Sequence, residues 1–138
     1  MKRPVAVLLL VLAACGVPGQ PRAVGLQLTN AGLEPLRCKI VFGHWVERDL
    51  GEVAPAASLD IALLQAASDH ALYINRSDNQ RQMMIENIVC GRVANWRETL
   101  GQVDLTRARQ RDISHLEATC EAPRDAGRVT CRVTGIGI

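Results

Sequence analysis

Aromatic residues are scarce in this chain of 138 residues, which has two tryptophans, one tyrosine and one phenylalanine. Proteins that bind single-stranded nucleic acid usually stack bases on several exposed aromatic side chains, so this scarcity argues against that function. Hydrophobic residues nevertheless make up 48% of the chain, which is typical of a folded domain and not of a disordered one. We therefore expect a core built mainly from leucine, isoleucine and valine.

Catalytic and metal-binding motifs are also missing. No serine lies in a Gly-x-Ser-x-Gly sequence, and no two cysteines form a Cys-x-x-Cys pair. His44, His70 and His115 do not have the spacing of a metal-binding histidine motif. The sequence thus predicts a protein that is not an enzyme and has no cofactor. An alternative is periplasmic copper binding by His44 with Met83 or Met84, although neighbouring strand residues face opposite sides and so disfavour the use of both methionines.

The amino-terminal residues have the layout of a secretory signal. Lys2 and Arg3 precede an apolar run over residues 5–14, which as a helix spans only about 15 Å and is too short to cross a bilayer. The run ends in Leu12-Ala13-Ala14-Cys15, which resembles the lipobox of bacterial lipoproteins. That resemblance implies cleavage after residue 14, a diacylglyceryl thioether on Cys15 and a fatty acyl chain, such as palmitate, on its amino group. The alternative is ordinary signal cleavage that leaves Cys15 as a thiol.

The resemblance divides the chain into three parts. Residues 1–14 are the expected signal peptide, residues 15–22 the lipidated cysteine and a flexible tether rich in proline and glycine, and residues 23–138 a single β domain. In the lipoproteins of enteric bacteria, aspartate after the cysteine favours the inner membrane, so Gly16 implies the outer membrane with the domain facing the periplasm. A chain that starts at residue 15 carries 14 basic and 14 acidic side chains, which does not favour nucleic acid as a partner.

Alternation of apolar and polar residues predicts a mainly β domain. Val24, Leu26 and Leu28 occupy one face of the first predicted strand, and similar segments follow along the chain. About seven short strands separated by turn signals are typical of a small antiparallel β-sandwich, as in immunoglobulin-like domains, or of a small barrel. Residues 49–52 are predicted to form a tight connection, and residues 95–101 one short helix.

The cysteine count favours two disulfide bonds. The chain has five cysteines, and assigning Cys15 to lipid leaves the even number that an oxidising compartment favours. Cys120 and Cys131 lie symmetrically about the turn of the last predicted hairpin, so they are expected to face each other across it. Cys38 and Cys90 then form the second pair. We interpret both bonds as structural.

Two stretches are candidates for a partner surface. His44 and Trp45 lie near the end of a predicted strand, and tryptophan and arginine are favoured anchors of interfaces; the alternative is an ordinary strand with one buried ring. Arg107, Arg109 and Arg111 alternate, which predicts a strand whose basic stripe meets an acidic partner or the phosphates of lipopolysaccharide, or else a solvated edge strand. The sequence thus predicts a binding or structural module for another, unidentified envelope protein or polymer. A further alternative is an inhibitor of a periplasmic hydrolase.

Overall fold

The computed structural model describes residues 19–75 and 82–138. The predicted signal peptide and the lipidation site at Cys15 lie outside the described residues. The strands of the described part are β1 Arg22–Asn30, β2 Leu36–Phe42, β3 Glu47–Val53, β4 Ser58–Gln65, β5 Leu72–Asn75, β6 Gln82–Arg92, β7 Gly101–Gln102, β8 His115–Glu121 and β9 Thr130–Gly137. In this part of the chain no helix has the length and apolar character needed to cross a membrane.

The strands form one open sheet with the order β3-β2-β6-β5-β4-β1-β8-β9, and β7 pairs with β6. The predicted mainly β fold is confirmed. One pair differs from the antiparallel arrangement expected for all strands, since β1 and β8 run parallel with Gly25 opposite His115. The reason is the segment after β7, which returns the chain to the end of the sheet where β1 starts.

A bulge in β6 separates the two parts of the sheet. The first residues of β6 pair with β5, and the remainder pairs with β2. Phe42 is opposite Ile85 and Val41 is opposite Asn87, so Glu86 is an extra residue at the change of partner. A bulge of this kind bends a strand, and both parts of the sheet contribute to one hydrophobic core. Its largest fully buried side chains include Leu26, Leu28, Leu36, Ile40, Leu63, Leu72, Ile85, Ile88 and Leu116.

Two predicted local structures differ in detail. Residues 49–52, predicted to be a tight connection, belong to strand β3, in which Leu50 is an extra residue opposite β2. Gly51 has φ of 93°, a conformation that glycine adopts without steric cost. Within residues 95–101 the helical part is a single 3-10 turn, Arg97–Thr99.

Both predicted disulfide bonds are present. Cys38 is directly opposite Cys90 on β2 and β6, and Cys120 is directly opposite Cys131 on β8 and β9. The Cα atoms of each pair are 4.1 Å apart, close to the spacing of facing residues in a non-hydrogen-bonded antiparallel pair. The bonds therefore join strands that are already neighbours.

A buried arginine holds together the loops at one end of the sheet. Arg92, the last residue of β6, is 7% exposed and forms an ion pair of 2.6 Å with Glu34. Its guanidinium group also donates to the backbone carbonyls of Pro123 (2.5 Å), Asp125 and Gly127 (3.3 Å). The loop between β8 and β9 forms no regular strand-to-strand hydrogen bonds at these residues. Arg92 therefore supplies hydrogen-bond donors that the carbonyls of the loop would otherwise lack.

Candidate functional site

The turn between β2 and β3 has an unusual backbone. The Phe42 N–H donates to the Val46 carbonyl at 2.8 Å and closes the turn. Of the three residues that this bond encloses, His44 and Trp45 have φ of 61° and 62°, the positive values that the two central residues of a type I′ turn require, where Asn-Gly is strongly favoured. A left-handed conformation costs a non-glycine residue about 1–2 kcal/mol. The fold therefore holds a bulky tryptophan in a conformation that it rarely adopts, next to a histidine that tolerates it better.

The same turn presents Trp45 to solvent. The Trp45 side chain is 91% exposed, whereas Phe42 at the end of β2 is buried. Thus Phe42 is the aromatic ring that anchors this hairpin in the core, and Trp45 is not the buried ring of an ordinary strand. His44 is also exposed. Exposure on a strained turn, together with a side-chain type enriched at interfaces, marks residues 43–46, which we call the hairpin tip, as the candidate site.

Trp96 offers an internal comparison for Trp45. The Trp96 indole N–H donates to the Arg37 carbonyl at 2.9 Å. The Nζ atom of Lys39 lies 4.1 Å from the centre of the Trp96 ring and 3.0 Å from the Glu47 carboxylate. Trp96 is therefore half-buried and held by protein groups, whereas the Trp45 indole N–H has no hydrogen bond to the described part of the chain.

The three arginines of the predicted basic stripe do not lie on a strand. The prediction of a strand there was wrong, because Arg107–Arg109 forms a 3-10 turn. The Arg109 guanidinium group donates to the carbonyls of Ile85 and Glu86 at 2.8 and 2.9 Å. These are the backbone carbonyls at the bulge in β6, so Arg109 supplies hydrogen bonds to them. Arg107 and Arg111 are exposed. Arg109 thus has a structural role, and only the other two arginines remain candidates for contact with a partner.

A buried glutamine that the sequence analysis missed positions this segment. The Gln65 side-chain amide donates to the carbonyls of Ala108 and Arg111 at 2.8 and 3.0 Å, and its carbonyl accepts from the Ile113 N–H at 3.0 Å. Gln65 is fully buried at the end of β4. Its place on the inward-facing side of the strand, in line with Leu63, is the sequence signal that could have identified it.

Contacts connect the hairpin tip with the start of the first strand. Gly43 lies beside the Glu86 side chain, and Arg109 binds the Glu86 carbonyl. Farther along the same segment, Asp112 forms an ion pair of 2.7 Å with Arg22, the first residue of β1. These residues lie at one end of the fold, where the chain from the predicted tether enters the domain. We call this region the tether end; it comprises residues 43–46, 107–112 and Arg22.

The metal-binding alternative has little support from side-chain positions. Met83 packs against the core, whereas Met84 is half-exposed, so only Met84 could act together with the exposed His44. Among the described residues, the one group of three histidine, cysteine or acidic side chains close enough to share an ion is Cys90, Cys120 and Cys131. In this structure all three sulfur atoms are in disulfide bonds.

Comparisons with known proteins identify no family. The sequence matches no protein-family model and no curated protein. A solved structure, the NMR structure of a protein from Eubacterium rectale, is similar with a TM-score of 0.44 and 7% sequence identity, covering 82% of this chain and 89% of that one. A likeness at this level carries no argument about function.

Proposed function

We propose that this chain is a lipid-anchored protein of the bacterial cell envelope whose small disulfide-bonded domain binds a neighbouring envelope component through the hairpin tip. The anchor is the lipidated Cys15 that the lipobox-like sequence implies, and Gly16 favours the outer membrane with the domain in the periplasm. Multiple acyl chains make such an anchor durable, because each buried methylene contributes about 0.8 kcal/mol.

The disulfide bonds support the compartment in this proposal. Of the five cysteines, Cys38, Cys90, Cys120 and Cys131 pair with one another. Stable structural disulfides are typical of oxidising compartments such as the periplasm. Cys15 has no cysteine left to pair with inside the chain, and lipidation accounts for this odd residue.

The observation that carries the binding role is the exposed Trp45 on a left-handed backbone. A solvent-exposed indole contributes nothing to the core, and the turn would be more favourable with Asn-Gly at its centre. Residues retained in an unfavourable conformation at an exposed position point to a function outside the fold. Tryptophan suits this role because it supplies a large, rigid contact surface.

Photo-crosslinking in cells tests the binding role. A photoreactive phenylalanine analogue replaces Trp45 in one variant and Leu33 in the control; Leu33 is 77% exposed and lies in the loop after β1, far from the hairpin tip. We expect a specific adduct from position 45 and none from position 33. Equal labelling from both positions would contradict the proposal, and a captured hydrolase would favour the inhibitor alternative.

The lipid anchor requires its own test. Mass spectrometry of the mature amino terminus should show a start at Cys15 with the added mass of a diacylglyceryl group and an acyl chain. Globomycin, which blocks the lipoprotein signal peptidase, should cause the unprocessed precursor to accumulate. An unmodified Cys15 in the mature protein would exclude the lipoprotein assignment.

A further inference from the structure

The tether end of the domain lies close to the point where a lipid anchor would hold it. Only six residues lie between Cys15 and Arg22, so this connection of seven residue steps spans at most about 25 Å. A compact domain of this size has a radius of gyration of about 13 Å, so it is at least as wide as the fully extended connection is long. The end of the domain where β1 starts is thus held nearest to the bilayer.

We propose that the tether end faces the bilayer and that Trp45 inserts into its headgroup region, an inference that rests on the proposed lipid anchor at Cys15. In this arrangement the envelope component that the hairpin tip binds is the membrane that carries the anchor. The lipid chains at Cys15 and the indole of Trp45 are then two contacts of one domain with one surface. The second contact fixes the orientation of the domain, which the tether alone only restricts.

The exposed side chains of the tether end suit a membrane interface. Tryptophan is enriched at the level of the headgroups because its ring is apolar and its N–H remains hydrogen-bonded there. Val46, beside Trp45, is also exposed. Arg107 and Arg111 extend from the same end and favour anionic headgroups. The acidic Glu86 is exposed nearby, so the charge of this end is mixed and the indole makes the principal contact.

The second tryptophan provides a matched control. Trp96 binds the carbonyl of Arg37, the second residue of β2, whereas the hairpin tip follows Phe42, the last residue of that strand. Five residues of extended chain place these points about 17 Å apart. Since the chain has only these two tryptophans, one reports on the tether end and the other on a point deeper along the domain.

Fluorescence quenching by brominated lipids tests the orientation. The mature lipidated protein is reconstituted into phosphatidylcholine–phosphatidylglycerol vesicles with bromine on the acyl chains, as the variants Trp96→Phe and Trp45→Phe, each with one tryptophan. Interfacial side chains lie about 5–10 Å into the headgroup and acyl boundary, so we expect Trp45 emission to fall at least about twofold. The emission of Trp96 should stay within experimental error of its value in unbrominated vesicles.

The outcomes separate this inference from the proposed anchor. Protein that does not float with the vesicles contradicts the anchor itself. Two outcomes would overturn the proposed orientation but leave the anchor in place. In the first, the protein floats with the vesicles and Trp45 is not quenched; in the second, Trp96 is quenched as strongly as Trp45. Protection of Trp45 only after addition of an envelope protein would likewise overturn the bilayer contact and assign the tip to a protein partner. If either variant fails to fold, 19F NMR of the 5-fluorotryptophan-labelled wild type with paramagnetic lipid makes the same comparison.

Discussion

The Sγ atoms of Cys90 and Cys120 lie within 4.8 Å of each other, although three strands separate β6 from β8 in the sheet order. The sheet must therefore fold over so that its two parts meet, and the two disulfide bonds pack against each other in the interior. Cys38, Cys90 and Cys120 are fully buried. The bonds thus join neighbouring strands covalently and also form part of the contact between the two parts of the sheet.

Removal of the disulfides should therefore give effects that do not add. The closed loops have sequence separations of 52 and 11, so loop entropy predicts losses of about 4 kcal/mol for the Cys38/Cys90 pair and about 3 kcal/mol for the Cys120/Cys131 pair. Each double variant loses the contact between the two bonds, so the sum of their two losses counts this contact twice. The quadruple variant loses the contact only once. We expect the quadruple variant to lose about 0.5–3 kcal/mol less than the sum. Urea unfolding of the three alanine variants measures this, and strict additivity would contradict the packing of the two bonds.

Arg92 should be one of the more sensitive positions outside the hydrophobic core. Replacement by methionine keeps much of the side-chain volume but removes the donors to Glu34 and to the loop carbonyls, which should cost about 2–4 kcal/mol in urea unfolding. Lysine should recover part of this loss, because a single ammonium group reaches fewer acceptors. The control is Arg132→Ala, since Arg132 and Glu121 form an exposed pair of 3.9 Å that should contribute less than about 1 kcal/mol. Equal losses at both positions would argue against the role of Arg92.

Local patterns in the sequence predicted the last hairpin and both disulfides, but they did not predict the turn between β2 and β3 or how distant segments combine. The Cys120–Cys131 bond was predictable because strand alternation and a turn place these residues opposite each other. The alternation of Arg107 and Arg109 suggested a strand, yet the backbone there binds the side chain of Gln65, more than forty residues earlier. No local pattern carries such a contact.

The candidate site was predictable in its residues but not in its conformation. The sequence marked His44 and Trp45 as possible contact residues, but an apolar residue near a strand end is as often buried. The bulge at Glu86, where β6 changes its partner, lies next to Phe42, the last residue before the turn. The parallel pairing of β1 and β8 likewise depends on residues far apart in the chain, and it places the start of β1 at the same end as the start of β8.

The stability of the segment before the 3-10 turn Arg107–Arg109 should depend on pH through the carboxyl group of Asp104. Hydrogen bonds from the Thr106 side chain and backbone N–H stabilise the charged carboxylate and lower the pKa of Asp104. Because the folded-state pKa is depressed, the contribution of Asp104 to stability is present above its unfolded-state pKa and is lost as the pH falls through the folded-state pKa. In an NMR titration, Thr106→Ala should raise the pKa of Asp104 only part of the way, since the backbone N–H remains. An unchanged pKa in that variant would contradict the role of the Thr106 hydroxyl group.

The hairpin tip should be stabilised by the residues that its backbone favours. Trp45→Gly removes the cost of a left-handed residue with a side chain, and we expect the free energy of unfolding to rise by about 1 kcal/mol; His44→Asn with Trp45→Gly should add to this gain. Trp45→Ala is the matched control, because it also removes the indole but keeps the Cβ atom and thus the strain. Urea unfolding should therefore give a higher free energy of unfolding for Trp45→Gly than for Trp45→Ala. Binding through the hairpin tip should be lost in both variants. Equal stability of the two variants would show that the turn is not strained, and a glycine variant that still binds would show that Trp45 is not the contact residue.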